Sequence, residues 1–144
     1  MDTETTFYRL NAQNAHWLDG SDVFDNVVDP AQVKSFVNDR GHELVFAVNE
    51  NRVVGFASGT VLLHPDKPPS FFVNEVEVIP NYRRRGIGAS LCEQLFAIAR
   101  SLECEGIWLA TEEGNIAARA LYSRLDARET LKIVVYDWDG AMDG

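Results

Sequence analysis

The chain has 144 residues, enough for one domain with a real core, and carries 13 Lys+Arg against 22 Asp+Glu, a formal charge of -9. That balance argues against general binding to nucleic acid or to an anionic membrane, and favours a cationic partner. No apolar run approaches the roughly 20 residues that span a bilayer, and the polar start MDTETTFYRL has no basic segment followed by an apolar one, so a cytoplasmic location is expected.

No linker, repeat or low-complexity tract divides the sequence, so residues 1–144 read as a single domain. TFYRL reads as a strand and NAQNAHWL as a short helix. The next stretch, DGSDVFDNVVDP, holds Asp19, Asp22, Asp25 and Asp29, with no Lys or Arg between Arg9 and Lys34. Asp29 before Pro30 is a good N-cap with Pro at the first helical position, which predicts a helix over PAQVKSFVND closed by Gly41. ELVFAV and VVGFASGTVLL, rich in β-branched and aromatic residues, are joined by NENR and predict an antiparallel hairpin.

HPDKPPS is a loop by its prolines, and FFVNEVEVI reads as a strand ending at Pro80. Strict alternation puts Val73, Glu75 and Glu77 on one face and Asn74, Val76 and Val78 on the other. From Ile87 the period changes, since Ile87, Leu91, Leu95, Ile98 and Leu102 recur in steps of three or four and mark the buried stripe of a helix. GIWLAT is a further strand, NIAARALYSRL a helix capped by Asn115, and ETLKIVVYDW a last strand. The order is a mixed α/β pattern with hairpins and crossovers. Cys92 and Cys104 lack metal-ligand spacing and read as packing residues, and His16, His42 and His64 have no partner at motif spacing. No metal is expected.

One short cationic turn stands out in the acidic chain. In VEVIPNYRRRGIGASL, Arg83, Arg84 and Arg85 precede Gly86, Ile87, Gly88 and Ala89, between a strand end and a helix start. Unpaired N–H groups, the positive end of the helix dipole and a glycine backbone together suit an anion, and phosphate is the expected one. The sequence is neither a Walker loop nor a three-glycine dinucleotide fingerprint. The alternative is a solvated arginine loop in which Gly86 only eases a turn.

This stretch resembles the acetyl-CoA-binding signature of the GCN5-related N-acetyltransferases (GNAT), Arg/Gln-x-x-Gly-x-Gly/Ala after a strand, with Arg83, Gly86 and Gly88 at the defining positions. The resemblance implies the GNAT fold, a single mixed and mostly antiparallel sheet flanked by helices with acetyl-CoA in a split between central strands. It implies Arg83 through Ala89 as the cradle for the cofactor's pyrophosphate, and backbone pairing of Val76 and Val78 with its pantetheine arm. GNIAARALYSRLDA is similar to the family's Asn-x-x-Ala-x-x-x-Tyr helix, which adds Asn115, Ala118 and Tyr122 to the cofactor site. The family's helix ends in Gly-Phe or Gly-Ala. Here Asp126-Ala127 stands instead, where a left-handed cap is possible but less easy than at glycine.

Within the superfamily the likeness is to the short aminoglycoside 3-N-acetyltransferases, through the acid at Glu75, the run YRRRGIG and the C-terminal ALYSRLDARET. Acyl transfer to an alkyl ammonium of pKa about 10 needs a base, direct or through water. Glu75 is the expected base or amine anchor, with Glu77 as its helper; the other reading of Glu77 is an exposed strand acid. Tyr122 is the expected acid for the departing thiolate, and the backbone N–H of Val78 or Glu77 the oxyanion donor. Glu75, Glu77, Asp22, Asp25, Asp137 and Asp139 are expected to attract a cationic small-molecule amine. Direct transfer in a ternary complex follows from the resemblance, and family habit suggests a homodimer. Acetylation of a polyamine, a small amino compound or a protein N-terminus stays open, as does a non-catalytic acyl-CoA-binding sensor.

Overall fold

The computed structural model describes residues 4–140. These fall into two compact units, one running through Ala110 and one from Thr111.

The first unit is built on a five-stranded sheet in the order β1-β2-β3-β4-β5: β1 (Thr6–Arg9), β2 (His42–Asn49), β3 (Arg52–Leu62), β4 (Ser70–Val78) and β5 (Gly106–Trp108). The first four strands pair antiparallel and β4–β5 is parallel. The turn between β2 and β3 places Glu50 and Asn51 at φ 52° and 61°, the two left-handed positions that match the twist of a tight hairpin. The expected N-terminal helix is only a single 3-10 turn, Ala15–Leu18. Asp29 caps α1 (Pro30–Asn38) through a 2.9 Å bond from the Ala31 N–H, as its sequence predicts.

Two apolar clusters cover the two faces of the sheet. On one face Val45, Ala47, Ala57, Phe71 and Val73 meet Ile87, Leu91, Leu95 and Ala99 of α2 (Ile87–Ser101). Leu91 and Leu95 are fully buried, and each such side chain stabilises the unit by about 1.5–3 kcal/mol. On the other face Leu44, Phe46, Val48, Val53 and Phe56 meet Leu18 and Val23, with Val33 and Phe36 of α1 packed against them. Cys92 lies in the α2 interface, where burial first and Glu93 second push its thiol up to about 11, so it packs as a small apolar residue.

Strict alternation fails in β4. Ser58 of β3 is opposite Glu75 while Gly59 is opposite Val73, so Asn74 is an extra residue and forms a β-bulge. Phe71 and Val73 face α2, and after the bulge so do Val76 and Val78. Val73 is therefore on the face opposite Glu75 and Glu77, contrary to the alternation, because one inserted residue reverses the phase of every side chain beyond it.

The second unit holds α3 (Ile116–Arg124). Asn115 Oδ1 accepts from the Ala118 N–H at 3.1 Å and caps it. At its far end Asp126 takes φ 63° and the Ala127 N–H donates to Tyr122 C=O at 3.0 Å, the closure expected of a left-handed cap without glycine. The predicted strand ETLKIVVYDW does not form among the described residues. Lys132 sits at φ 64°, which breaks the extended run, and Leu131, Ile133, Val134 and Val135 are exposed.

Candidate active site

Beyond Phe72, β4 runs on past the end of β5, whose pairing covers only Ser70, Phe71 and Phe72. Residues 73–78 therefore keep β3 on one edge and lack a β5 partner on the other. The Ile79 N–H donates to Val54 C=O at 2.9 Å. Because bonded positions alternate along an antiparallel pair, Glu77 and Glu75 also turn their peptide groups toward β3. The peptide groups of Val76 and Val78 are then directed to the open edge. Of the two N–H groups the sequence offered as oxyanion donors, Val78 is the one on that edge.

The strand leads through a 3-10 turn, Pro80–Tyr82, into the arginine segment and α2. Gly86 takes φ 78°, and no atom lies within 4 Å of where a Cβ would stand. The helical ladder opens with the Ser90 N–H donating to Gly86 C=O at 3.0 Å, so the N–H groups of Ile87, Gly88 and Ala89 lie ahead of it at the positive end of a 15-residue helix. An anion can approach this backbone, so the residues present fit the phosphates of a coenzyme A group.

The three arginines differ in what they touch. Arg83 Nε–H donates to Val78 C=O at 2.8 Å, and the Arg85 guanidinium lies 4.8 Å from the centre of the Tyr82 ring. Tyr82 itself is buried, and burial, then the charge of Glu50 and a hydrogen bond to it, hold its phenol above the ordinary value. Arg84 is exposed and makes no hydrogen bond or ion pair with the described residues.

Glu75 and Glu77 share the face opposite α2, beside Ser58 and Phe56 of β3. Glu75 is exposed on one side, yet its carboxyl is held above the ordinary value, by the protein around it first, then by the charges of Asp25 and Glu77. Asp25 reaches this place because its neighbours anchor the loop: Val23 is buried, and the Phe24 ring sits 4.3 Å from that of Phe56. Asp22 instead faces Arg52, at 3.4 Å. The sequence could not show the loop contact, since it depends on Phe24 finding Phe56 across more than thirty residues.

In the second unit Tyr122 is half-buried on α3, and Asn115 spends its side-chain oxygen on the helix cap. Ala118 supplies the N–H of that cap. Asp137 and Asp139 are exposed in the segment after the helix. Among the described residues no helix is long and apolar enough to cross a membrane, and no three His, Cys, Asp or Glu side chains are grouped to hold a metal ion.

Residues 8–127, which hold the partly unpaired β4 edge and the helix start that follows it, match the family described as Acetyltransferase (GNAT) family. The chain belongs to that family. Acetyl-CoA is accordingly its cofactor. Among curated relatives, an L-2,4-diaminobutyric acid acetyltransferase of Virgibacillus pantothenticus is 29% identical over 94 residues, 65% of this chain and 58% of the relative. A [Ribosomal protein bS18]-alanine N-acetyltransferase of Escherichia coli (strain K12) is 31% identical over 102 residues, 69% of this chain and 66% of the relative. The chain thus spans less than two thirds of either relative's length. Among solved structures, AAC(6')-Iy in complex with the bisubstrate analogue CoA-S-monomethyl-acetylneamine superposes with a TM-score of 0.79 at 16% identity, over 94% of this chain and 99% of that one. This likeness shows the fold.

Proposed function

We propose that the chain is an acetyl-CoA-dependent N-acetyltransferase that acetylates a primary amine of a cationic small molecule, with an aminoglycoside as the acceptor, by direct transfer in a ternary complex. The observation that carries this reading is the placement of Glu75 and Glu77, with Asp25 beside them, on the strand that leads into the anion-binding turn. Residues 1–144 act as one domain in this reading, and the family match over residues 8–127 supports it for that stretch.

Acetyl-CoA supplies a thioester whose acetyl group passes to the amine. The N–H groups of Ile87, Gly88 and Ala89 would hold its phosphates, and the open peptide groups of Val76 and Val78 would pair with its arm. Asn115 and Ala118 keep the helix that carries Tyr122 in form. The Glu75 carboxylate takes the proton from the acceptor's ammonium, and its raised proton affinity suits that exchange near neutral pH better than an ordinary carboxylate would. Glu77 and Asp25 add negative charge that draws a second ammonium, and Asp137 and Asp139 are assigned the same part from their sequence positions. The Val78 N–H would lie on the open edge to donate to the thioester oxygen, and Tyr122, by its motif position, would supply the proton that the leaving sulfur needs.

The fold neighbour named AAC(6')-Iy supports an aminoglycoside acceptor, while its designation is 6' and the sequence motifs of this chain resemble 3-N enzymes. The 3-amino position rests on those motifs. The curated relatives favour a second reading, since their names give a diamino acid and a protein N-terminal alanine as acceptors. Release of coenzyme A thiol from acetyl-CoA with gentamicin-type and kanamycin-type drugs, spermidine, 2,4-diaminobutyrate and an alanine-initiated peptide separates them. Turnover with the drugs supports the first reading, turnover confined to the others replaces it, and cofactor binding without any turnover points to a sensor.

A further inference from the structure

We propose that Trp108 and Phe72 form an aromatic platform beside Glu75 that takes a saturated ring of the acceptor. The chain then selects amines carried on a six-membered ring, as in an aminocyclitol or amino sugar, over linear ones. The proposal rests on the acceptor reading above and names what that site holds next to the reacting amine.

Along β4, Phe71 and Val73 face α2, which turns Phe72 to the other face of the sheet. Ile107 and Leu109 pack on the α2 side as well, so Trp108 between them also points away from it. The two rings meet there, with centres 4.4 Å apart and planes tilted by 48°. Neither belongs to the apolar cluster that covers this face over β2 and β3, and Trp108 is 52% exposed. The Asn74 bulge sets the rings next to the acids. Phe72 is opposite Thr60 and Glu75 opposite Ser58, so three steps on β4 match only two on β3. Phe72 and Glu75 are therefore same-face neighbours, about 7 Å apart along the strand. Trp108 pairs with Phe72 and ends β5, where the open edge of β4 begins. The row from the end of β5 along β4 is indole, phenyl, carboxylate, carboxylate.

A saturated six-membered ring with equatorial substituents turns C–H bonds to both faces and its ammonium and hydroxyl groups to the rim. Its face matches the exposed indole, and a rim ammonium matches the Glu75 carboxylate. The charges of Glu75, Glu77 and Asp25 favour this cationic occupant over an apolar or acidic partner surface. A linear polyamine offers the ammonium without the face.

Thiol release and calorimetric binding are measured with kanamycin and with spermidine for wild type, Trp108→Ala and Trp108→Phe. Wild type is expected to bind kanamycin at least about tenfold more tightly than spermidine. Trp108→Ala should raise KM and Kd for kanamycin about tenfold while kcat falls less than about threefold, and should shift spermidine affinity by less than about threefold. Trp108→Phe keeps a flat ring and should recover most of the kanamycin affinity. The proposal is overturned if Trp108→Ala binds kanamycin like wild type, or if spermidine loses as much as kanamycin. It is also overturned if Trp108→Ala splits a wild-type dimer, which would make the platform an interface between copies. If wild type does not turn kanamycin over, the functional reading falls and calorimetry alone decides the platform: binding that Trp108→Ala loses keeps it, and no binding removes it.

Discussion

Val73 and Glu75 stand two residues apart on β4 and project from opposite faces of the sheet, Val73 into the α2 core and Glu75 away from it. The Asn74 bulge causes this, and beside it, on β3, Gly59 stands where the Phe71 ring leaves no room for a side chain. A Cβ added to Gly59 would lie 2.2 Å from Phe71 Cε1 and 2.8 Å from Phe72 C=O. Gly59→Ala must therefore displace the fully buried Phe71 ring or the strand itself. A loss of about 2–3 kcal/mol is expected, as for other overpacked cores, read as a lower urea midpoint. Gly106→Ala, where nothing lies within 4 Å and φ is ordinary, serves as the control.

Asp25 and Glu75 give a pH prediction with a definite sign. The negative charge of Asp25 favours the protonated form of Glu75, so Asp25→Asn should lower the Glu75 pKa and move the acid limb of kcat/KM to lower pH. Glu75→Gln should cut the rate by about a hundredfold or more and remove that limb. An acid limb unmoved in Asp25→Asn would mean that another group titrates there. Stability runs the other way. The folded pKa of Glu75 lies above its unfolded value, so the folded state holds more protons and loses stability as pH rises through that interval. Glu75→Gln should unfold at a slightly higher temperature than wild type at neutral pH.

Most of the order of elements was legible because it is written in local chemistry. Asp29-Pro30 marked α1, Asn115 marked α3, and the three-or-four spacing from Ile87 marked α2. The arginine turn was legible for the same reason, since its glycines and the helix start adjoin in sequence. What escaped depends on distant partners. Nothing near Asn74 reveals that Ser58 and Gly59 straddle it, and nothing near Asp25 reveals that Phe24 packs on Phe56. The segment ETLKIVVYDW has strand composition, but composition supplies no neighbouring edge, and the left-handed Lys132 interrupts it.

Gly86→Val tests the cradle. Its φ of 78° is uncomfortable for any L side chain and worse for a branched one, and the Cβ would stand in the open space beside the backbone proposed to hold phosphate. Acetyl-CoA affinity should fall by well over tenfold, while the strain costs about 1–2 kcal/mol of stability. Gly86→Ala should show most of the strain with less of the binding loss. Equal affinity in Gly86→Val and wild type, measured by calorimetry on folded protein, would remove this turn from the cofactor site.

Tyr122 sits half-buried on α3, and the acid role proposed for it predicts a separation between binding and turnover. A proton donor acts on the leaving sulfur and adds little to ground-state cofactor binding, so Tyr122→Phe should lower kcat by about tenfold to a hundredfold and leave acetyl-CoA affinity near wild type. A purely packing residue would show a different pattern: loss of the hydroxyl would lower the unfolding temperature while kcat and its pH profile stayed intact. Thiol release measured across pH, beside thermal unfolding of the same preparation, distinguishes the two, and an unchanged kcat would take Tyr122 out of the chemistry.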